Sequence, residues 1–204
     1  MVPALRPSIF VHIQKTGGTA VRSALGMEIY AERKHFLARD LRDVYGKAAW
    51  ESSFKFSFVR NPWDRLVSWW SMIDNHRHAS TAANSGNEFT RYVRQRAQSF
   101  EEFLTRCTDE IVETDGRKHI FRDQIDYLVD DKGKLIVDFV GRFERLQEDF
   151  DQVTARLGVP SATLPRVNSS QHAAYTSYYT PAMAEEVGRR YARDILAFSY
   201  RFGD

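Results

Sequence analysis

The stretch that most restricts how this chain can fold is Ser8 to Thr19. Ser8 to Ile13 is a short apolar run with Ile9, Phe10, Val11 and Ile13, and it predicts a buried strand. The character then changes abruptly. Lys15-Thr16-Gly17-Gly18-Thr19 is a turn of small residues with one cation, and Ala20 to Leu25 predicts the first turns of a helix. A strand, a glycine-bearing loop and a helix N-terminus together make an anion site. Loop and helix N–H groups point at the anion, the helix dipole favours negative charge, and glycine lets the backbone approach closely. Lys15 adds a full positive charge, and Thr16 and Thr19 add hydroxyl donors. The alternative is an ordinary strand-to-helix turn.

The same pattern recurs further on. Phe54 to Val59 alternates aromatic with small or polar residues and predicts a strand near the sheet centre. Arg60-Asn61-Pro62-Trp63 follows at once. Asn61 can cap a helix and Pro62 suits its first position. Leu66, Trp69, Trp70 and Ile73 then share one helical face, with Ser68 off that stripe. Arg60 at the strand end can give a bidentate, charge-assisted pair to a phosphate, and Ser68 can add a hydroxyl from the helix. Strand, loop and helix thus occur twice, each time with a cation at or just past the strand end. That predicts an α/β fold with an open, mainly parallel sheet whose ligands sit at the C-terminal edge of the strands.

The rest of the chain fits this class. Glu28 to Arg33 is a candidate second strand ending at Lys34-His35. Ala38 to Tyr45 has helical spacing, with Gly46 placed to cap it. Asp74 to Glu88 is polar and predicts a surface loop, as does Thr108 to Lys118. Ser99-Phe100-Glu101-Glu102 is a capping box opening a short helix. Asp130 to Lys134 predicts a turn, Leu135 to Phe143 a strand, and Arg145 to Leu157 a helix ended by Gly158-Val159-Pro160. Ser161 to Tyr179 has no long periodic pattern. Thr180-Pro181 opens a last helix, where Met183, Val187, Tyr191 and Ile195 repeat every four residues.

The 204 residues suit one domain with a real core, and no repeat or linker divides them beyond the two strand–loop–helix units. With 43% hydrophobic and 13% aromatic residues the chain is globular rather than disordered. A formal net charge of +2 is too small for a protein that coats nucleic acid, yet compatible with a local pocket for a polyanionic small molecule. Cys107 is the sole cysteine, so neither an internal disulfide nor a cysteine metal cage can form. No apolar run approaches the roughly 20 residues needed to span a bilayer. Met1 to Arg6 lacks the pattern of a secretory signal, so the expected compartment is the cytoplasm.

The first loop is neither a Walker A loop, in which Lys follows the second Gly, nor G-x-G-x-x-G, because Lys15 precedes both glycines. It resembles the 5′-phosphosulfate loop of sulfotransferases that use 3′-phosphoadenosine-5′-phosphosulfate (PAPS). Arg60 with Ser68 on the following helix resembles their 3′-phosphate motif. Asp123-Gln124 to Leu128, Asp138 to Glu144 and Tyr191 to Phe202 are similar to the small carbohydrate-type branch related to heparan sulfate 2-O-sulfotransferases. The resemblance covers most of the chain, with the two phosphate motifs specific and the rest supporting. Gln14 stands where that branch often has Pro, so a looser loop is expected. The loop Asp74 to Glu88 has no counterpart in the branch.

The resemblance implies one P-loop-like, mononucleotide-kinase-like domain over residues 1–204, three-layered around a central, mainly parallel sheet. It implies direct in-line transfer of a sulfuryl group from PAPS to a hydroxyl, with PAP (adenosine 3′,5′-bisphosphate) as product, no metal, and a saccharide as the expected acceptor class. Lys15 is then the residue that stabilises charge on the bridging oxygen. Thr16, Gly17, Gly18 and Thr19 hold the 5′-phosphate, and Arg60 and Ser68 the 3′-phosphate. His35 follows the second strand at the edge where Lys15 stands, the family tends to carry a His there, and it is the candidate base; a solvated loop histidine is the alternative. The segment Arg166 to Tyr179 resembles the family's late loop over the nucleotide. Arg166, Ser169 and Tyr175 are its candidates for phosphate or adenine contact, and a plain surface loop is the alternative for each. His12 is expected to be structural, His76, His78, His119 and His172 to be surface residues, and Glu144 to order Arg142 or Arg145. Two other functions compete. A nucleotide kinase of similar fold is disfavoured by the absent Walker A loop, and a non-catalytic nucleotide- or glycan-binding protein by the intact Lys15, Arg60, Ser68 and His35. No residue encodes a sugar identity or an oligomeric state.

Overall fold

A computed structural model describes residues 7–27, 33–77, 88–108, 120, 122–165 and 173–204. The chain forms two compact units, Met1–Arg60 with Gln124–Asn168, and Asn61–Asp123 with Ser169–Asp204.

The first unit is built on a parallel sheet of β1 (Ser8–Val11), β2 (Phe54–Val59) and β3 (Phe139–Arg142), with β2 in the middle. Phe10 pairs with Phe56, and Phe56 with Phe139. Because side chains alternate across a strand, Phe54, Phe56 and Phe58 share one face. Phe10 stacks on Phe56 at 5.0 Å. Two helices cover that face: α1 (Gly18–Ala24) through Val21, and α7 (Leu146–Leu157) through Phe150, Val153 and Leu157. Each buried phenylalanine contributes about 1.5–3 kcal/mol. On the other face Ser57 Oγ donates to the Val11 carbonyl at 2.7 Å, so this polar residue of β2 is satisfied inside the sheet. Two short helices, α2 (Ala38–Tyr45) and α3 (Lys47–Ser52), meet at Gly46, whose φ of 80° only glycine adopts freely. The helix expected over Ala38 to Tyr45 is α2, while α3 was not anticipated.

The ladder of β3 starts four residues later than the apolar pattern predicts. Leu135 bridges Val129 and Ile136 N donates to Leu128 O, closing the chain around the Asp130 to Lys134 turn. Lys55 and Asp138 then lock the register. The Lys55 N–H and Nζ both donate to Asp138 Oδ2, at 2.8 and 2.9 Å, and Asp138 N donates back to Lys55 O. At the other end of β3, the buried Asp149 accepts from Arg142 N at 2.7 Å and from Arg145 Nε at 3.0 Å, tying strand to helix. Residues 28–32 of the expected second strand lie outside the described residues, and Arg33 to His35 form a turn.

The second unit gathers around α4 (Pro62–Arg77), against α5 (Glu88–Arg96), α6 (Phe100–Arg106) and α8 (Pro181–Arg190). Asn61 Oδ1 accepts from Trp63 N and caps α4. Leu66, Trp69, Trp70 and Ile73 are buried as their spacing requires. Trp69 meets Phe89, and Trp70 meets Phe103. Ser99 caps α6, its hydroxyl accepting from Glu102 N. The loop expected from Asp74 is helical through Arg77, and α5 begins at Glu88; residues 78–87 lie outside the described residues, as do 109–118 of the next expected loop. The last helix is two. The division falls at Tyr191, which is 1% exposed and donates its hydroxyl to Ile120 O, and α9 (Ala192–Phe198) buries Asp194 rather than Ile195.

Gly141 tests this packing. A Cβ there would stand 2.5 Å from Phe58 Cε1 and 3.0 Å from Asp149 Cβ. Gly141→Ala should lower unfolding free energy by about 1–3 kcal/mol, read as an earlier urea midpoint. An unchanged midpoint would show that β3 and α7 do not meet over Phe58 in this way.

Candidate functional site

Past β1 the loop turns sharply at Lys15, whose φ of 67° is left-handed. A non-glycine residue there is uncommon and costs free energy, and such strain clusters at functional sites. Several bonds hold the turn. Thr16, fully buried, donates its hydroxyl to Ile13 O at 2.9 Å. That proton serves the loop's own shape, so Thr16 has its backbone N–H rather than its hydroxyl to offer an anion. Gln14, where the resemblance suggested a looser loop, accepts from the buried Tyr127 hydroxyl at 3.0 Å and is anchored by it. Gly17, at φ 80°, caps α1, and its carbonyl accepts from Ala20 N and Val21 N.

Both glycines are also required by space. A Cβ on Gly17 would stand 2.6 Å from Leu146 Cδ2 and 3.2 Å from Phe143 Cδ2, and one on Gly18 would overlap the His12 imidazole. The Gly-Gly pair is therefore the consequence of α7 on one side and His12 on the other. Thr19 is exposed.

Arg60, at the end of β2, is 6% exposed. Gln124 grips its backbone as a neighbouring strand would: Arg60 N donates to Gln124 Oε1 at 2.9 Å, and Gln124 Nε2 donates to Arg60 O at 2.8 Å. Its guanidinium lies over the Phe143 ring at 3.9 Å and donates from Nη1 to Lys15 O at 3.2 Å. The structure thus brings Lys15 and Arg60 together. Burial, then the Arg60 charge, pulls the Lys15 ammonium down to about 8. Two cations converging on one partly dry corner suit an anion. Gln124 and Phe143 were legible only as parts of family-like segments, because both act from a distant stretch of sequence.

His35 stands beside the end of β1. Its Nδ1 lies 2.9 Å from His12 O, and the two rings are 4.7 Å apart between centroids. His12 is buried, and burial, His35, Lys34 and Arg22 hold its pKa well below the usual range. Glu144 belongs to a short turn of Phe143–Arg145.

In the second unit Ser68 is buried on α4. Tyr175 begins a short turn, Tyr175–Tyr178. Its hydroxyl accepts from Gly203 N at 2.6 Å and from Asn61 Nδ2 at 3.3 Å, and its ring edge meets Phe202. Asn61 Nδ2 also donates to Arg201 O at 2.9 Å. Arg166 and Ser169 lie outside the described residues, as do His78, His119, His172 and the side chain of His76. Among the described residues no three His, Cys, Asp or Glu side chains gather as metal ligands would.

The chain is similar to known proteins. The sequence profile of the sulfotransferase family matches residues 8–201. An uncharacterised protein of Archaeoglobus fulgidus is 27% identical over 137 residues, which is 64% of this chain and 88% of that protein. Among solved structures, the mouse sulfotransferase SULT7A1 complexed with PAP is similar in fold, with a TM-score of 0.53 over 98% of this chain and 86% of that one, at 12% identity. With the profile running from the first residue of β1 almost to the end of the chain, through both strand-end cations, this protein belongs to the sulfotransferase family.

Proposed function

We propose that this sulfotransferase moves a sulfuryl group from PAPS to a hydroxyl of a saccharide by direct in-line displacement. The observation that carries the reading is the convergence of Lys15 and Arg60 on a glycine-built loop. That donor set fits a phosphosulfate next to a phosphate: two cations, the N–H groups of Gly17, Gly18 and Thr19, and hydroxyls nearby. The PAP held by the mouse relative supports the choice of nucleotide.

When bound, PAPS supplies an activated sulfuryl group on a phosphate leaving group. This chain's residues do the rest. Lys15 neutralises charge on the bridging oxygen, in an environment dry enough for a cation to count for more than in water. The loop from Thr16 to Thr19 holds the 5′-phosphate by backbone N–H groups and the Thr19 hydroxyl. Arg60 and Ser68 take the 3′-phosphate, with Arg166, Ser169 and Tyr175 as further candidates for the nucleotide; the assignments of Ser68, Arg166, Ser169 and Tyr175 rest on the sequence motifs. His35 accepts the proton of the acceptor hydroxyl. Its Nδ1 faces a carbonyl oxygen, which can only accept, so Nδ1 carries the hydrogen and Nε2 is the acceptor nitrogen of the neutral ring. The saccharide class rests on the segments similar to the carbohydrate-type branch. Residues 1–204 act as one catalytic domain. Among the described residues no helix is long and apolar enough to cross a membrane.

Two experiments test this. Radiolabelled PAPS, offered with a panel of saccharide hydroxyl acceptors, should deliver label to product. In the same preparation PAP should bind much more tightly than AMP, because only PAP offers a 3′-phosphate. Equal affinities by calorimetry, or no label transfer to any acceptor, would remove the assignment.

The roles of two side chains separate in kinetics. Lys15→Ala should lower turnover roughly a hundredfold to a thousandfold, with a smaller loss of PAP affinity. His35→Ala should lower turnover about a hundredfold to ten-thousandfold, leave PAP affinity nearly intact, and abolish the acidic limb of the rate profile. A His35→Ala enzyme that keeps both rate and acidic limb would move the base elsewhere.

A further inference from the structure

His12 is a buried ring in an unusual position. It is 5% exposed, stacks on Phe10 at 5.4 Å, and meets His35 at 4.7 Å with the planes tilted by 52°. Its Cδ2 and Nε2 edge fills the space that a side chain on Gly18 would need. The ring is therefore wedged between the first residue of α1 and the candidate base. The backbone repeats the link, since His12 O accepts from His35 Nδ1 at 2.9 Å. As a mere core filler, a histidine is a poor choice. Among the described residues its Nδ1 is buried with no hydrogen-bond partner, a penalty that phenylalanine would avoid. The charged or titratable groups that face it are His35, Lys34 and Arg22.

We propose that His12 is a positioning residue that couples the phosphate loop to the base: its ring sets the spacing between Gly18 and His35, and its carbonyl holds His35 in the Nδ1–H tautomer. This inference rests on the reading of His35 as the base. The seat of the 5′-phosphate and the seat of the proton acceptor are then two sides of one imidazole, so the loop's place fixes the base's place. A misplacement of about 1 Å can cost roughly a hundredfold in rate, which makes such a spacer worth retaining.

A double-variant cycle separates coupling from packing. Gly18→Ala drives a methyl into the ring and should weaken PAP binding about tenfold or more. Adding His12→Ala removes the obstacle, so PAP affinity should recover most of that loss. Turnover in the double variant should stay roughly tenfold to a hundredfold low, because His35 has lost its spacer. His12→Ala alone should show the same split, with PAP affinity near wild type and turnover reduced. No recovery of PAP binding in the double variant would overturn the wedge.

If the alanine variants do not fold, His12→Asn serves in their place. The wild-type chain is informative by itself: 15N spectra of the neutral His35 ring should show a protonated Nδ1 and an unprotonated Nε2, and His12→Asn, which keeps the residue 12 carbonyl, should keep that tautomer while turnover falls. A bare Nδ1 in the wild type would overturn the proposal. Full turnover in His35→Ala would defeat the base reading. A slow His35→Ala beside a His12→Asn with wild-type turnover would leave the base standing and defeat the coupling.

Discussion

Lys15 and Arg60 carry like charges into one corner of the sheet edge, and much of the first unit serves to keep them there. Arg60 cannot swing away, because Gln124 grips its backbone, Phe143 lies beneath its guanidinium and Lys15 O takes a hydrogen bond from it. Lys15 is held by a left-handed turn that Thr16 and Gln14 brace. Burial first, and then repulsion from Arg60, lower the Lys15 pKa to about 8 in the fold, against about 10.4 in an unfolded chain. Between those values the unfolded chain holds more protons, so this residue adds stability as pH rises through that window. At neutral pH a bound anion gives the same relief. Two cations held in one corner thus favour a polyanion.

The loop is preorganised by what surrounds it. Gly17 presses on Leu146 and Phe143, where α7 begins, and Gly18 presses on His12. The start of α7 is in turn pinned to β3 through Asp149. Donors fixed in this way need no reorganisation when charge develops, which is where electrostatic catalysis gains most. Phe143 takes part twice, walling Gly17 and carrying the guanidinium of Arg60, so one ring relates the loop to the second cation.

What could be read from the residues was local. An apolar run, a small-residue turn and a helical stripe each lie within about a dozen neighbours, and β1, β2, α1 and α4 follow from them. The pattern of cations past two strand ends was legible for the same reason. What could not be read depends on partners far apart in sequence. The late start of β3 comes from Leu135 and Ile136 bonding back to Val129 and Leu128 before Asp138 locks to Lys55. The break falls at Tyr191, whose hydroxyl reaches Ile120, a contact that no four-residue repeat records. Gln14 was read as a loosening residue because its tether, Tyr127, is invisible locally. Thr16 was read as a donor to the anion, yet its proton goes to Ile13 O. His12 was read as structural, and its neighbours Gly18 and His35 are what give it a further part.

The most direct test of the strained cation pair is proton-linked calorimetry of PAP binding, in two buffers of different ionisation heat, from neutral pH to about 9.5. Near pH 7 Lys15 is already charged, so binding should take up almost no proton. As pH passes about 8, where Lys15 loses its proton in the absence of PAP, binding should take up an increasing fraction of one proton and PAP affinity should decline. Lys15→Ala should remove this uptake. PAP affinity that is flat across the range, with no proton taken up, would contradict the placement of Lys15 against the bound nucleotide.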